Sequence, residues 1–94
     1  MKKLFDGQSA DGQSDSIEHT GGRRTAIITG DFGGGTVTIQ ISPDGGTTWV
    51  TMTDQDGTDK EWTDDATVTI GPLDSCHMRF DLTGATNPDL DAWL

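Results

Sequence analysis

Cysteine is almost absent from this chain. Its lone Cys76 cannot close an internal disulfide, and with only His77 beside it there is no ligand spacing for a structural metal. Basic residues are also scarce, six Lys and Arg against sixteen Asp and Glu, for a net charge of −10. That balance opposes nucleic-acid binding by general electrostatics and favours solubility, repulsion between copies and basic partners. No apolar run approaches the length of a membrane span, and no apolar signal-peptide core follows Met1-Lys2-Lys3, so synthesis in the cytosol is expected. Large apolar side chains are few as well. Leu, Ile, Val and Phe number 17 of 94 residues, which with the net charge falls at the edge of the compositional signature of disorder. A single domain with a thin core is expected, and three Trp beside such a core imply that a partner surface or self-association adds to its stability.

Against these absences stands a clear alternation of apolar and polar residues over Thr36–Thr53, TVTIQISPDGGTTWVTMT. Val37, Ile39 and Ile41 share one face and Thr36, Thr38 and Gln40 the other, the period of a half-buried strand. Trp49, Val50 and Met52 begin a return strand after a turn at Ser42-Pro43-Asp44-Gly45-Gly46-Thr47-Thr48. Pro43 presets its own φ for a turn, Asp44 can accept backbone N–H groups a few residues on, and Gly45 and Gly46 can take the positive φ that a reversal demands.

The remaining alternations read the same way. Ala26, Ile28, Gly30 and Phe32 alternate with Thr25, Ile27, Thr29 and Asp31, and Gly33-Gly34-Gly35 supplies the reversal that follows. No Lys-Ser/Thr pair follows these glycines and no helix opens, which excludes a phosphate loop. Ala66, Val68 and Ile70 form another face, broken by Gly71-Pro72. Cys76, Met78, Phe80 and Leu82 form the next, and Leu90, Ala92 and Leu94 the last. Strands at this spacing with turn signals between them predict an all-β fold, an antiparallel β-sandwich or small barrel of about six to eight short strands over residues 17–94. Residues 1–16, with the repeat Asp6-Gly7-Gln8-Ser9 and Asp11-Gly12-Gln13-Ser14, read as an extended N-terminal arm. Such an arm is either flexible or docked on a neighbouring subunit through Leu4 and Phe5, with Lys2 and Lys3 as charge contacts.

Chemistry-bearing constellations are missing. His19 and His77 fall on predicted polar faces as solvated strand residues, and no nucleophile, base or placed carboxylate pair stands out among sixteen acids. Asp54, Asp56 and Asp59 with Gly57 resemble a calcium loop in part, but EF-hand spacing fails and an Asp-Gly turn accounts for them. No enzyme activity, cofactor or metal is expected.

The turn, read as S-x-D-x-G-x-T-W over Ser42, Asp44, Gly46, Thr48 and Trp49, resembles the Asp-box hairpin of sialidase propellers, some secreted ribonucleases and many bacteriophage virion proteins. Residues 22–94 as a whole resemble small virion proteins of the capsid-decoration or head-accessory type. The resemblance implies a structural role for the turn and a virion protein made in the host bacterial cytoplasm. It also implies a homo-oligomer bound to the major capsid protein or other virion subunits, with no nucleic-acid or membrane contact. Trp62 and Trp93, together with the arm, become candidate apolar contacts, and Arg23 and Arg24 candidate charge contacts. The alternative is a carbohydrate-binding β-module that stacks sugar rings on Trp49, Trp62 or Trp93.

Overall fold

The computed structural model describes residues 1–53 and 60–94, and there the chain is all-β. Its strands are β1 (Lys3–Gln8), β2 (Gly12–Gln13), β3 (Ile17–His19), β4 (Gly22–Asp31), β5 (Thr36–Ser42), β6 (Val50–Thr51), β7 (Glu61–Trp62), β8 (Ala66–Leu73), β9 (Cys76–Thr83) and β10 (Asp89–Trp93). They form two antiparallel sheets. The first has the order β1-β10-β4-β8. In the second, β9 lies beside β5, with β2 and β3 on the far side of β9 and β6 and β7 on the far side of β5.

The apolar period of each strand explains which face it buries. Val37 stands opposite Leu82, Ile39 opposite Phe80 and Ile41 opposite Met78, so one face of the β5–β9 ladder is continuously apolar. From the other sheet, Ala26, Ile28, Ile70, Leu90 and Ala92 turn inward and are buried. Two such faces packed on each other give a sandwich. Phe5 and Phe80 join them directly, their rings stacked with centroids 5.8 Å apart.

The N-terminal segment departs from the arm expected over residues 1–16. Lys3–Gln8 forms an edge strand on β10, and Phe5 is 1% exposed within the core. The polar residues of this segment hold it through long-range bonds. Gly7 N–H donates to Asp91 Oδ1 at 2.9 Å, and the Asp11 carboxylate accepts from the N–H groups of Gly84 and Ala85, each at 2.9 Å. Ser14 and Phe80 exchange backbone and side-chain bonds: Ser14 N–H donates to the Phe80 carbonyl and Phe80 N–H to Ser14 Oγ, both at 2.9 Å. Phe5 is therefore not available as a contact for a neighbouring subunit, and Leu4 packs half-buried against the same core.

The triple glycine carries the chain from one sheet to the other. Gly35 N–H bonds the Phe32 carbonyl at 2.9 Å, and Thr86 N–H bonds the Gly33 carbonyl at 2.9 Å. Gly33 has φ 59°, and a Cβ placed there would collide with the Thr86 carbonyl oxygen. A side chain at this crossover is thus excluded by both conformation and space.

Truncating Phe5 to Ala removes the inter-sheet aromatic pair, an expected loss of about 3–5 kcal/mol. For a domain whose total stability is on the order of 5–15 kcal/mol, deleting residues 1–14 is expected to abolish the cooperative melt. Urea unfolding followed by Trp fluorescence measures both. A deletion variant that melts as the full chain does would restore the reading of a dispensable arm.

Candidate functional site

The best-defined side-chain constellation is the loop between β5 and β6. Ser42 is fully buried at the end of β5. Its Oγ–H donates to Asp44 Oδ1 at 2.8 Å, and the same oxygen accepts from Gly46 N–H at 2.8 Å. Thr48 N–H donates to Asp44 Oδ1 at 2.8 Å, which ties the far side of the loop to its near side. Gly45 (φ 79°) and Gly46 (φ 103°) supply the left-handed conformations that the reversal needs. The Thr48 backbone bond, helped by the hydroxyls of Thr48 and Ser42, holds the Asp44 carboxyl down at about 2.

Trp49 closes the loop. Its indole N–H donates to the Gly46 carbonyl at 3.0 Å, and the Arg79 guanidinium lies 4.2 Å from its ring centroid. Arg79 is itself aimed by Gln40, its register partner across the β5–β9 ladder, whose Oε1 accepts from Arg79 Nε at 2.6 Å. One face of Trp49 and its only polar atom are thus committed within the chain, and the contact acts as a cation–π brace. The turn residues Ser42, Asp44, Gly46 and Trp49 are joined by hydrogen bonds within this one loop. Arg79 and Gln40 lacked any sequence signal beyond their places in two alternating strands.

His19 was missed. It is buried and not solvated, because it lies two residues beyond Ile17 on the inward face of β3. Arg24 Nε–H donates to His19 Nδ1 at 2.9 Å, and His19 Nε2 lies 3.0 Å from the Gly22 carbonyl. Nδ1 as acceptor requires the neutral tautomer with its proton on Nε2, which donates to that carbonyl. Arg24 is consequently half-buried and engaged, whereas Arg23 is exposed without a carboxylate partner among the described residues. Cys76, paired with His19 in register, is half-buried at the margin of the core and not fully inside it, and its burial pushes the thiol pKa up.

The two candidate aromatic contacts occupy different settings. Trp62 stands opposite Val37 and packs half-buried against the core. Trp93 pairs with Ile27 on the outer face of the first sheet, with Lys3 Nζ 5.1 Å from its ring centroid. Lys3 also bridges Asp6 at 3.1 Å and Asp91 at 3.3 Å. Trp93 therefore meets the N-terminal strand through Lys3, whereas Trp62 belongs to the second sheet.

An open groove of about 380 Å³ runs beside the loop, lined by Ile41, Pro43, Val50, Met52 and Leu73. Val50 is 58% exposed there. Asp54, Asp56 and Asp59 of the calcium reading lie outside the described residues. Among the described residues no group of three or more His, Cys, Asp or Glu side chains is placed to hold a metal ion, and no helix is long and apolar enough to cross a membrane. Comparison with protein-family models, curated proteins and solved structures finds no match to this chain.

The depressed Asp44 pKa fixes the sign of an acid effect. Its carboxylate is favoured in the folded chain relative to its ordinary value of 3.8, so its contribution is full above that value and is lost as pH falls through about 2. Asp44→Ala is expected to lower the urea midpoint at neutral pH, and the gap from the parent chain narrows as the pH drops below about 4. Ser42→Ala, which removes both bonds of a buried hydroxyl, to Asp44 and from Gly46, is expected to cost about 1–3 kcal/mol. A gap for the Asp44 variant that stays constant down to pH 2 would show that the carboxylate does not hold the loop.

Proposed function

We propose that the chain is a structural protein of a bacteriophage virion, a capsid decoration protein that binds the outer head surface, as a homo-oligomer, and stabilises it. The observation that carries this reading is the Ser42–Trp49 loop, whose polar groups are spent on one another and whose Trp is braced by Arg79. A loop built this way is a rigid folding device and not a ligand cradle, which fits a role exercised through surfaces. The net charge of −10 suits docking on a basic region of the major capsid protein or another virion subunit. Addition to the particle takes place from the host cytoplasm.

A sugar-binding role would ask an aromatic ring to offer a free face. Trp49 lies under Arg79, Trp93 has Lys3 over its ring, and Trp62 packs on the core. No observation favours that role over the structural one.

Virions purified from cells that encode the chain are expected to carry it in a fixed ratio to the coat protein, read by quantitative mass spectrometry. They are expected to lose heat or chelator resistance when it is deleted. Its presence in the lysate but absence from particles would overturn the proposal. Titration with neutral and acidic oligosaccharides is expected to leave Trp fluorescence unchanged, and saturable quenching would favour the carbohydrate-binding role instead.

A further inference from the structure

Among the described residues, strand β8 is the outer strand of the first sheet, hydrogen-bonded to β4 on one side only. Edge strands expose a row of unpaired N–H and C=O groups, and proteins usually guard them with charges, very short strands or covering segments. The opposite edge, β1, carries Lys3 and Asp6. From Ala66 to Leu73, β8 carries no charged residue in an otherwise acidic chain, and among the described residues its guard is the bend at Gly71-Pro72. Before that bend, Thr67 and Thr69 are exposed on the outer face, while Ala66 and Val68 are half-buried and Ile70 is buried on the inner one.

We propose that β8 is a self-pairing edge that joins two copies of this chain antiparallel about a two-fold axis at Val68. This register sets Thr67 opposite Thr69 of the second copy, Val68 opposite Val68, and Ala66 opposite Ile70. The four-stranded sheets of two copies then become one continuous sheet. Cross-strand Thr pairs and β-branched pairs favour such a ladder, and the half-buried Val68 and Ala66 gain cover from the second copy.

Charge complementarity selects a second copy as the occupant. Asp64 and Asp65 precede β8 and are exposed. At the other end, a Cβ built on Gly71 would stand 3.5 Å from the Arg23 Cα, so Arg23, exposed and without a carboxylate partner among the described residues, flanks that end from β4. The same register brings position 65 of one copy opposite position 71 of the other. Each acidic end thus meets the Arg23 end of its mate, twice by symmetry. Asp74 lies beyond the bend, outside the paired stretch. The pairing supplies the self-association in the proposed role with a surface, and it is read without any particle. A failure here leaves particle binding standing, and a failure of particle binding leaves this pairing standing.

Light scattering across a wide concentration range is the test, on the full chain at low salt. The mass is expected to climb from 10.0 kDa toward twice that value. Thr67→Lys with Thr69→Lys clusters four ammonium groups across the axis and is expected to hold the chain monomeric with an unchanged melt. Thr67→Lys with Thr69→Glu places opposite charges across the same axis and is expected to restore the dimer. Arg23→Glu is expected to weaken association about tenfold, an effect that added salt shrinks. A mass constant at 10.0 kDa, or a dimer indifferent to the double-Lys change, would overturn the proposal, and pairing with a strand of another protein would then be the alternative use of this edge.

Discussion

The pairing of β5 with β9 is the constraint on which the remaining structure depends. Seven consecutive register positions, from Thr36 opposite Thr83 to Ser42 opposite His77, place Val37, Ile39, Met78, Phe80 and Leu82 on one face. A one-residue slip would move that entire set to solvent. The outer strands of the second sheet attach to this ladder, β2 and β3 along β9 and β6 and β7 along β5. Its inner face provides Phe80, which holds Phe5 of the opposite sheet. On its outer face, Gln40 and Arg79 aim the brace over Trp49. One ladder therefore organises the core on one side and the loop on the other.

A core with few large aliphatics is completed here by economy of placement. The buried apolar set draws one to three residues from each of the longer strands, β1, β4, β5, β8, β9 and β10, and even the last residue, Leu94, is buried and exchanges backbone bonds with Lys2. Polar groups do comparable work at the margins. His19 takes an inward position on the strength of two hydrogen bonds, and Asp11 caps two backbone N–H groups beyond β9. Such bonds let a polar chain satisfy buried groups where a richer sequence would use apolar packing.

The sandwich itself was legible because alternation in β4, β5, β8, β9 and β10 is strong and the turn at Pro43-Asp44-Gly45-Gly46 has specific chemistry. The fates of Leu4 and Phe5 were not. Their strand finds its partner at the other end of the chain, and a period of two cannot be recognised across a segment with two apolar residues. The repeated Asp-Gly-Gln-Ser looked like solvated turns, yet Gly7 and Asp11 find their partners 84 and 73 residues away. His19 escaped notice for a related reason, since its burial depends on Arg24 and Gly22 folding back over it. The short pieces that the sequence does not announce are β2 and β7, two residues each, whose identity rests on the neighbour they pair with and not on their own composition.

The order β1-β10-β4-β8 has a consequence for how the chain acquires its shape during synthesis. β10 lies between two of the earliest strands, so neither β1 nor the free side of β4 has a partner until the residues of β10 have left the ribosome. The nascent chain must wait with Phe5 uncovered. Completion of the first sheet is therefore governed by a long-range closure that is intrinsically slow. The high negative charge then serves a second purpose, keeping unfinished chains apart during that wait.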